Sequence, residues 1–271
     1  MGAIITLSIL ALVVLYLGLF KMKSMLLPVS ILGFLVAIGF LWNDWTSTSG
    51  PLFSGMVHFD HYAIAFSVLC IAVTLCIFVI SKGYFDEEGQ IAEYYSLLIF
   101  SLTGAVLVNS YHNFSMLFLG IEIMSVALYI LVGIRKRDKA SNEAALKYFL
   151  MGAFSTGFLL FGIALLYGAT GSFDLSEIKN YVVNNPHAIS PLFYGGILLL
   201  IVGLTFKVGA VPFHFWTPDV YDGAPILITS YMSTVVKVAS FAGLLRLFSY
   251  SLLPLQDFWL FSPYLLEIFL H

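Results

Sequence analysis

The chain has 271 residues, of which 60% are hydrophobic and 10% charged, with a formal net charge of −3. An average soluble domain is about a quarter charged, so this composition excludes a water-soluble enzyme and describes a protein whose solvent is lipid. The net charge adds nothing about partners, and no nucleic-acid partner is expected.

A bilayer crossing takes about 20 apolar residues. By that measure eight spans are predicted, at roughly 3–20, 25–42, 61–81, 94–110, 112–133, 143–167, 192–215 and 223–248, followed by a ninth apolar stub at 258–270. The expected class is an all-α integral membrane protein, a polytopic helix bundle. The opening MGAIITLSILALVVLYLGLF has too long an apolar part, and no basic residue in front of it, for a signal peptide, so a retained first span is expected. Lys21, Lys23, Lys82, Arg135, Lys136, Arg137 and Lys139 follow spans one, three and five, whereas the alternate loops contain Lys179 alone. The positive-inside rule then puts the N-terminus outside and the RKRDK loop in the cytoplasm. Asp86, Glu87 and Glu88 belong to a solvated loop, and His58, His61, His112 and His187 fall at membrane edges, where polar anchoring is expected.

Cys70 and Cys76 sit six residues apart on one span, on roughly opposite helix faces, so neither a disulfide nor a metal clip is expected. The sequence contains no CxxC, HExxH, GxGxxG or GxxxxGK[ST] pattern. Haem, iron–sulfur, flavin, nicotinamide and ATP sites therefore have no sequence basis on this chain.

What stands out is a short set of ionisable residues inside spans. Lys207 lies in YGGILLLIVGLTFKVGAVPFHFW, just before Gly209 and Pro212. A lysine at mid-membrane costs roughly 2.5–3.5 kcal/mol and is by default a hypothesis about an ion path. Pro212 has no N–H for the Val208 carbonyl, so a helical bond is lost beside the lysine, and such a break survives only in protein or against a polar cavity. Glu122 falls near the middle of span five; a carboxylate tuning a lysine is one reading, and a protonated acid bonded to Ser125 or a backbone carbonyl the other. Lys237 follows Ser230, Ser233 and Thr234 at helical spacing, predicting a hydroxyl-lined face that is either a wet path or an inter-helix patch. Lys147, one turn after Glu143, reads equally as functional pair or snorkelling anchor, and Arg246 as a snorkelling cation at the end of span eight. One carboxylate and two lysines make the constellation of an electrostatic proton relay, in which a Glu–Lys pair about 7 Å apart at an effective dielectric near 20 is worth roughly 2.4 kcal/mol.

GIEIMSVALYILVG, AALKYFLMGAFSTGFLLFGIALLYGATGS and GLTFKVGAVPFHFWTPDVYDGAPILITSYMSTVVKVASFAGLLRLF together resemble the antiporter-like subunits of proton-pumping NADH:quinone oxidoreductase, respiratory complex I. WTPDVYDGAP favours the subunit N type over its M and L sisters and over the multisubunit sodium/proton antiporters, which tend to read WLPDA. The resemblance covers roughly residues 90–250. It implies the first repeat of the antiporter-like fold with a broken seventh helix, divided as helices one to three with a loop (1–92), the proton-translocating repeat (93–250), and a loop with an incomplete ninth helix (251–271). It makes Glu122 the intramembrane glutamate, Lys207 the lysine of the broken helix, Lys237 that of the next helix, and His214 the histidine of the VPFH run, with Lys147 and Glu143 as further candidates. It also implies proton movement coupled to quinone reduction elsewhere. Quinone, NADH, FMN and iron–sulfur clusters are expected on partner subunits, among them M-, K- and J-type membrane subunits, in a bacterial cell inner membrane. The family's second, inverted repeat has no counterpart here, and DFWLFSPYLLEIFLH does not resemble its next helix, so a truncated reading frame, an incomplete sequence or a split gene is expected. A non-pumping structural module, a cation/proton antiporter subunit and a hydrogenase-linked pump are the competing readings.

Overall fold

The computed structural model describes residues 1–46, 50, 52–82, 84, 91–185 and 188–255; the acidic stretch Asp86–Glu88, His187 and the ninth stub lie outside them. The long helices are α1 (Gly2–Leu19), α2 (Lys23–Thr46), α3 (His61–Ile80), α4 (Ile91–Ser110), α5 (Phe114–Val132), α6 (Lys139–Thr170) and α8 (Pro191–Val208). A short amphipathic α7 (Leu175–Asn184) precedes α8, and α9 (Thr217–Gly223) follows it. The last span is composite: α10 (Ile226–Tyr231), a π turn (Met232–Val236), α11 (Lys237–Arg246) and a second π turn (Leu247–Ser251). Among the described residues, eight segments are long and apolar enough to cross a membrane.

Helix starts follow capping chemistry. Asp60, Asn113, Asp138, Asp174 and Ser190 each accept a hydrogen bond from a first-turn amide of α3, α5, α6, α7 and α8, supplying a partner that the helix cannot give its own first N–H groups. The helices then sort by surroundings. α4 is buried nearly all round, against α1, α3, α5 and α11. α1, α2 and α6 turn Leu12, Leu32, Trp42, Phe154 and Phe161 outward, apolar faces suited to lipid and not to water. Lipid gives no hydrophobic drive for helix pairing, so close backbone contact has to supply it. α6 meets α8 this way: a Cβ on Gly162 would lie 2.8 Å from the Gly196 carbonyl oxygen.

Four elements differ from the sequence expectation. α6 begins at Lys139 and ends at Thr170, outrunning the expected 143–167 because Asp138 and a left-handed Gly171 set its ends, whereas an apolar window stops at polar residues. The expected loop around Lys179 contains α7, too short to cross but capped by Asp174 through Ser176 and Glu177 N–H. Span seven stops at Val208 and not at 215, since Gly209 adopts φ +73° and ends the helix. Span eight begins at Ile226 and is interrupted by the π turn, which periodicity does not reveal.

Candidate functional site at the helix break

The end of α8 leaves carbonyls without intrahelical donors, and those carbonyls carry the negative end of the helix dipole. Two side chains meet them. Trp216 donates its indole N–H to the Phe206 carbonyl at 3.0 Å, and the Lys237 ammonium donates to the Val208 carbonyl, the one that Pro212 leaves unpaired. Gly209 is held between them: a Cβ there would run into Lys237 Nζ and lie 2.9 Å from Thr217 Cγ2.

Lys207, 3% exposed, points the other way. Its Nζ donates to the Tyr129 hydroxyl of α5 at 3.1 Å and lies 5.3 Å from the Tyr129 ring centre and 5.8 Å from that of Tyr148 on α6. Lys237 Nζ lies 5.6 Å from the Trp216 ring centre and 5.9 Å from that of Tyr221. Trp216 stacks on Tyr148 at 5.0 Å and on Phe206 at 5.3 Å. The two lysines therefore occupy one aromatic cage built from α5, α6, α8, the break and α9, with the Tyr148–Trp216–Phe206 stack at its centre. An aromatic face is worth about 1–2 kcal/mol to a cation, depending on its desolvation. Two faces per lysine are thus comparable to the roughly 3 kcal/mol insertion cost of the cation, and no carboxylate is needed to hold it.

Glu122 makes no direct contact with either lysine among the hydrogen bonds and ion pairs of the described residues. Glu122 is half-buried, one of its carboxylate oxygens is buried without a hydrogen-bond partner, and among the described residues it has no ion pair. Lys207 instead meets Tyr129, two turns further along α5, a rise of about 10 Å. Ser125 does not bond Glu122 either; its hydroxyl donates to the Ile121 carbonyl.

The hydroxyl stripe also falls away from Lys237. Ser230, Ser233 and Thr234 donate to carbonyls of their own helix, and Ser233 and Thr234 are exposed. Ser233 and Thr234 lie within the π turn Met232–Val236, whose wider turn departs from the helical spacing that would align them with Lys237. His214 is exposed, and its carbonyl, accepting from Thr217 N–H and Oγ1, carries its local hydrogen bonds. Lys147 does pair with Glu143 at 2.7 Å, and equally with Asp219 of α9 at 2.7 Å, tying α6 to the segment that follows the break.

Arg246 does not snorkel. It is 5% exposed, bonded to Asp60 at 2.6 Å, and its guanidinium lies 5.1 Å from the Tyr62 ring centre. Burial raises the Asp60 carboxyl, but the Arg246 hydrogen bond and charge outweigh it and hold the group below its usual 3.8. His58 and His112 line a cavity with Asp60. Cys70 is buried and Cys76 exposed, both unbridged.

Tyr129, Tyr148, Trp216, Asp219 and Tyr221 were not singled out by the sequence. Tyr129 had one signal, its seven-residue spacing from Glu122 on a single helix face. Trp216 had another, an indole N–H that must find an acceptor in an apolar region.

Fold and site define a class: a multi-pass helical membrane protein with one buried lysine, Lys207, and one half-buried lysine, Lys237, at a broken helix and, among the described residues, no cluster of metal ligands. The chain belongs to the NADH:quinone oxidoreductase/Mrp antiporter transmembrane family, whose model matches residues 112–268. It is 41% identical over 257 residues to NADH-quinone oxidoreductase subunit N of Flavobacterium psychrophilum, covering 94% of this chain and 56% of that protein. It is 43% identical over 248 residues to the subunit N of Cytophaga hutchinsonii, covering 90% and 52%. Respiratory complex I from Thermus thermophilus with bound aureothin contains a chain with TM-score 0.75 and 33% identity, covering 90% of this chain and 52% of that one. A chain of the archaeal membrane-bound sulfane sulfur reductase, 24% identical with TM-score 0.75, shares the fold. The chain spans about half the length of the relatives it matches.

Proposed function

We propose that the chain acts as a proton-translocating membrane subunit of an NADH:quinone oxidoreductase, with Lys207 and Lys237 as the groups that exchange protons. In this reading the redox centres and quinone belong to partner subunits, M-, K- and J-type subunits among them, and the basic α5–α6 turn faces the cytoplasm. One observation carries it: both lysines are held by neutral partners at a helix break, without a carboxylate among the described residues. Fixed structural cations are normally paired with an anion when buried. A lysine with aromatic and carbonyl partners leaves no stranded countercharge when its proton departs. Glu122 then acts on the cage from a distance along α5, and the Lys147–Asp219 link couples α6 to the movement of α9.

Arginine separates a proton carrier from a fixed charge, because its pKa stays above 12. Lys207→Arg and Lys237→Arg are expected to assemble yet lose most proton pumping in inverted membrane vesicles, with Lys179→Arg in α7 unchanged. Normal pumping by Lys207→Arg would reduce that residue to an electrostatic or structural element.

A further inference from the structure

The membrane face opposite the basic α5–α6 turn holds a polar cavity of about 480 Å³ that the lysine mechanism does not use, lined by His58, Asp60, His112, Asp174, Arg246 and Tyr250. It lies where the starts of α3, α5 and α7 meet the end of α11. His112 Nε2 is 2.8 Å from Ser176 Oγ, which is 3.2 Å from the Tyr250 hydroxyl. The other ring nitrogen of His112, and Nε of the almost fully buried Arg246, are buried without a hydrogen-bond partner.

The same deficiency continues inward. α3, α4 and α11 pack on one another, and polar groups line their seam. Asn109 of α4 donates to Ser67 Oγ at 3.4 Å and approaches Cys70 Sγ at 3.8 Å. Its carbonyl oxygen, the Ser240 hydroxyl of α11 and the Tyr231 hydroxyl of α10 are all buried without a partner. Tyr231 faces Thr74 and Ser101, whose hydroxyls donate to backbone carbonyls. Ser240 lies one turn beyond Lys237, and Asn109 three residues before His112. Buried polar groups that protein leaves unpaired are met by water, and in a bilayer interior bulk solvent cannot reach them. These five unpaired atoms lie on elements that pack together from the cavity to the helix of Lys237.

We propose that the cavity is a proton-exchange port, in which His112 trades protons with cavity water and the Asn109–Ser240–Tyr231 seam carries them to and from Lys237. The port rests on the proton-carrying reading of Lys237. The His112 imidazole takes a proton from hydronium in the cavity and returns one to water on the seam side, so only N–H and O–H bonds form and break. Burial holds the His112 imidazole below its usual pKa, so it loses its proton readily. Asp174 and Asp60 favour its charged form; His58 and Arg246 oppose it. Ser176 and Tyr250 contact it without charge, and Lys179 lies across the Tyr250 ring at 5.1 Å.

Two measurements on the assembled complex test this. In radiolytic hydroxyl-radical labelling, seam water should oxidise Tyr231 severalfold faster than Tyr95, a tyrosine equally buried but hydrogen-bonded to Ser81. In vesicles, Asn109→Leu and Ser240→Val should lower pumping severalfold, and His112→Gln should shift its pH profile. Tyr231 labelled no faster than Tyr95 would mean a dry seam and overturn the port. So would wild-type pumping by Asn109→Leu and Ser240→Val in a preparation where Lys207→Gln abolishes it, and that result would leave the proposed function intact. Pumping that ignores Lys207→Gln would sink the proposed function and the port with it, whatever the labelling shows.

Discussion

Lys207 and Arg246 are both cations buried in the bundle, 3% and 5% exposed, and they are held in opposite ways. Arg246 has a carboxylate at 2.6 Å and a guanidinium that never deprotonates. Lys207 has a phenol hydroxyl and two aromatic faces. The first arrangement fixes a charge and ties the start of α3 to the end of α11. The second tolerates a charge without requiring one. Burial alone therefore does not identify a working cation in a membrane; the chemistry of its partners does.

The sharpest way to break this comparison is one substitution at both sites. Arg246→Met strands the Asp60 carboxylate, and because Asp60 is 37% exposed the loss should be about 2–3 kcal/mol, below the roughly 3–5 kcal/mol of a fully buried pair. Lys207→Met strands no charge. It removes an insertion cost of roughly 3 kcal/mol along with cation–π attraction of about the same size, so the loss should stay near the ~1.5 kcal/mol of the Tyr129 hydrogen bond. Thermal unfolding in detergent compares the two; equal losses would erase the distinction.

Tyr129→Phe sharpens the lysine side, since it deletes the hydroxyl and keeps the ring. A hydrogen bond to a charged group contributes about 1.5–3 kcal/mol, and with the face retained a loss near the lower value is expected. A drop in pumping larger than the drop in stability would assign the hydroxyl to proton handling.

The smallest effect is the acid response of the outer pair. Asp60 is depressed below 3.8, so its contribution is complete above that pH and is lost as pH falls through the lower folded value. Partial exposure keeps it under about 1 kcal/mol. Detergent unfolding midpoints between pH 5 and pH 3 should show a shallow decline in the wild type that Asp60→Asn lacks.

Sequence alone determined what is local or compositional. Sixty per cent hydrophobic residues and the long apolar runs specify a helical membrane protein, because lipid leaves backbone groups no other partners. Gly209 and Pro212 specify a break, because a left-handed glycine ends a helix and a proline cannot donate to it. The depth of Lys207 followed from its place in the run.

Only the tertiary structure decided which partner each charge received. Arg246 found Asp60, 186 residues away in sequence. Lys237 reaches the Val208 carbonyl across the helix break, and Lys207 the Tyr129 hydroxyl of α5. Those choices depend on register between helices distant in the chain, and a one-dimensional period records the face of a helix without recording what that face meets.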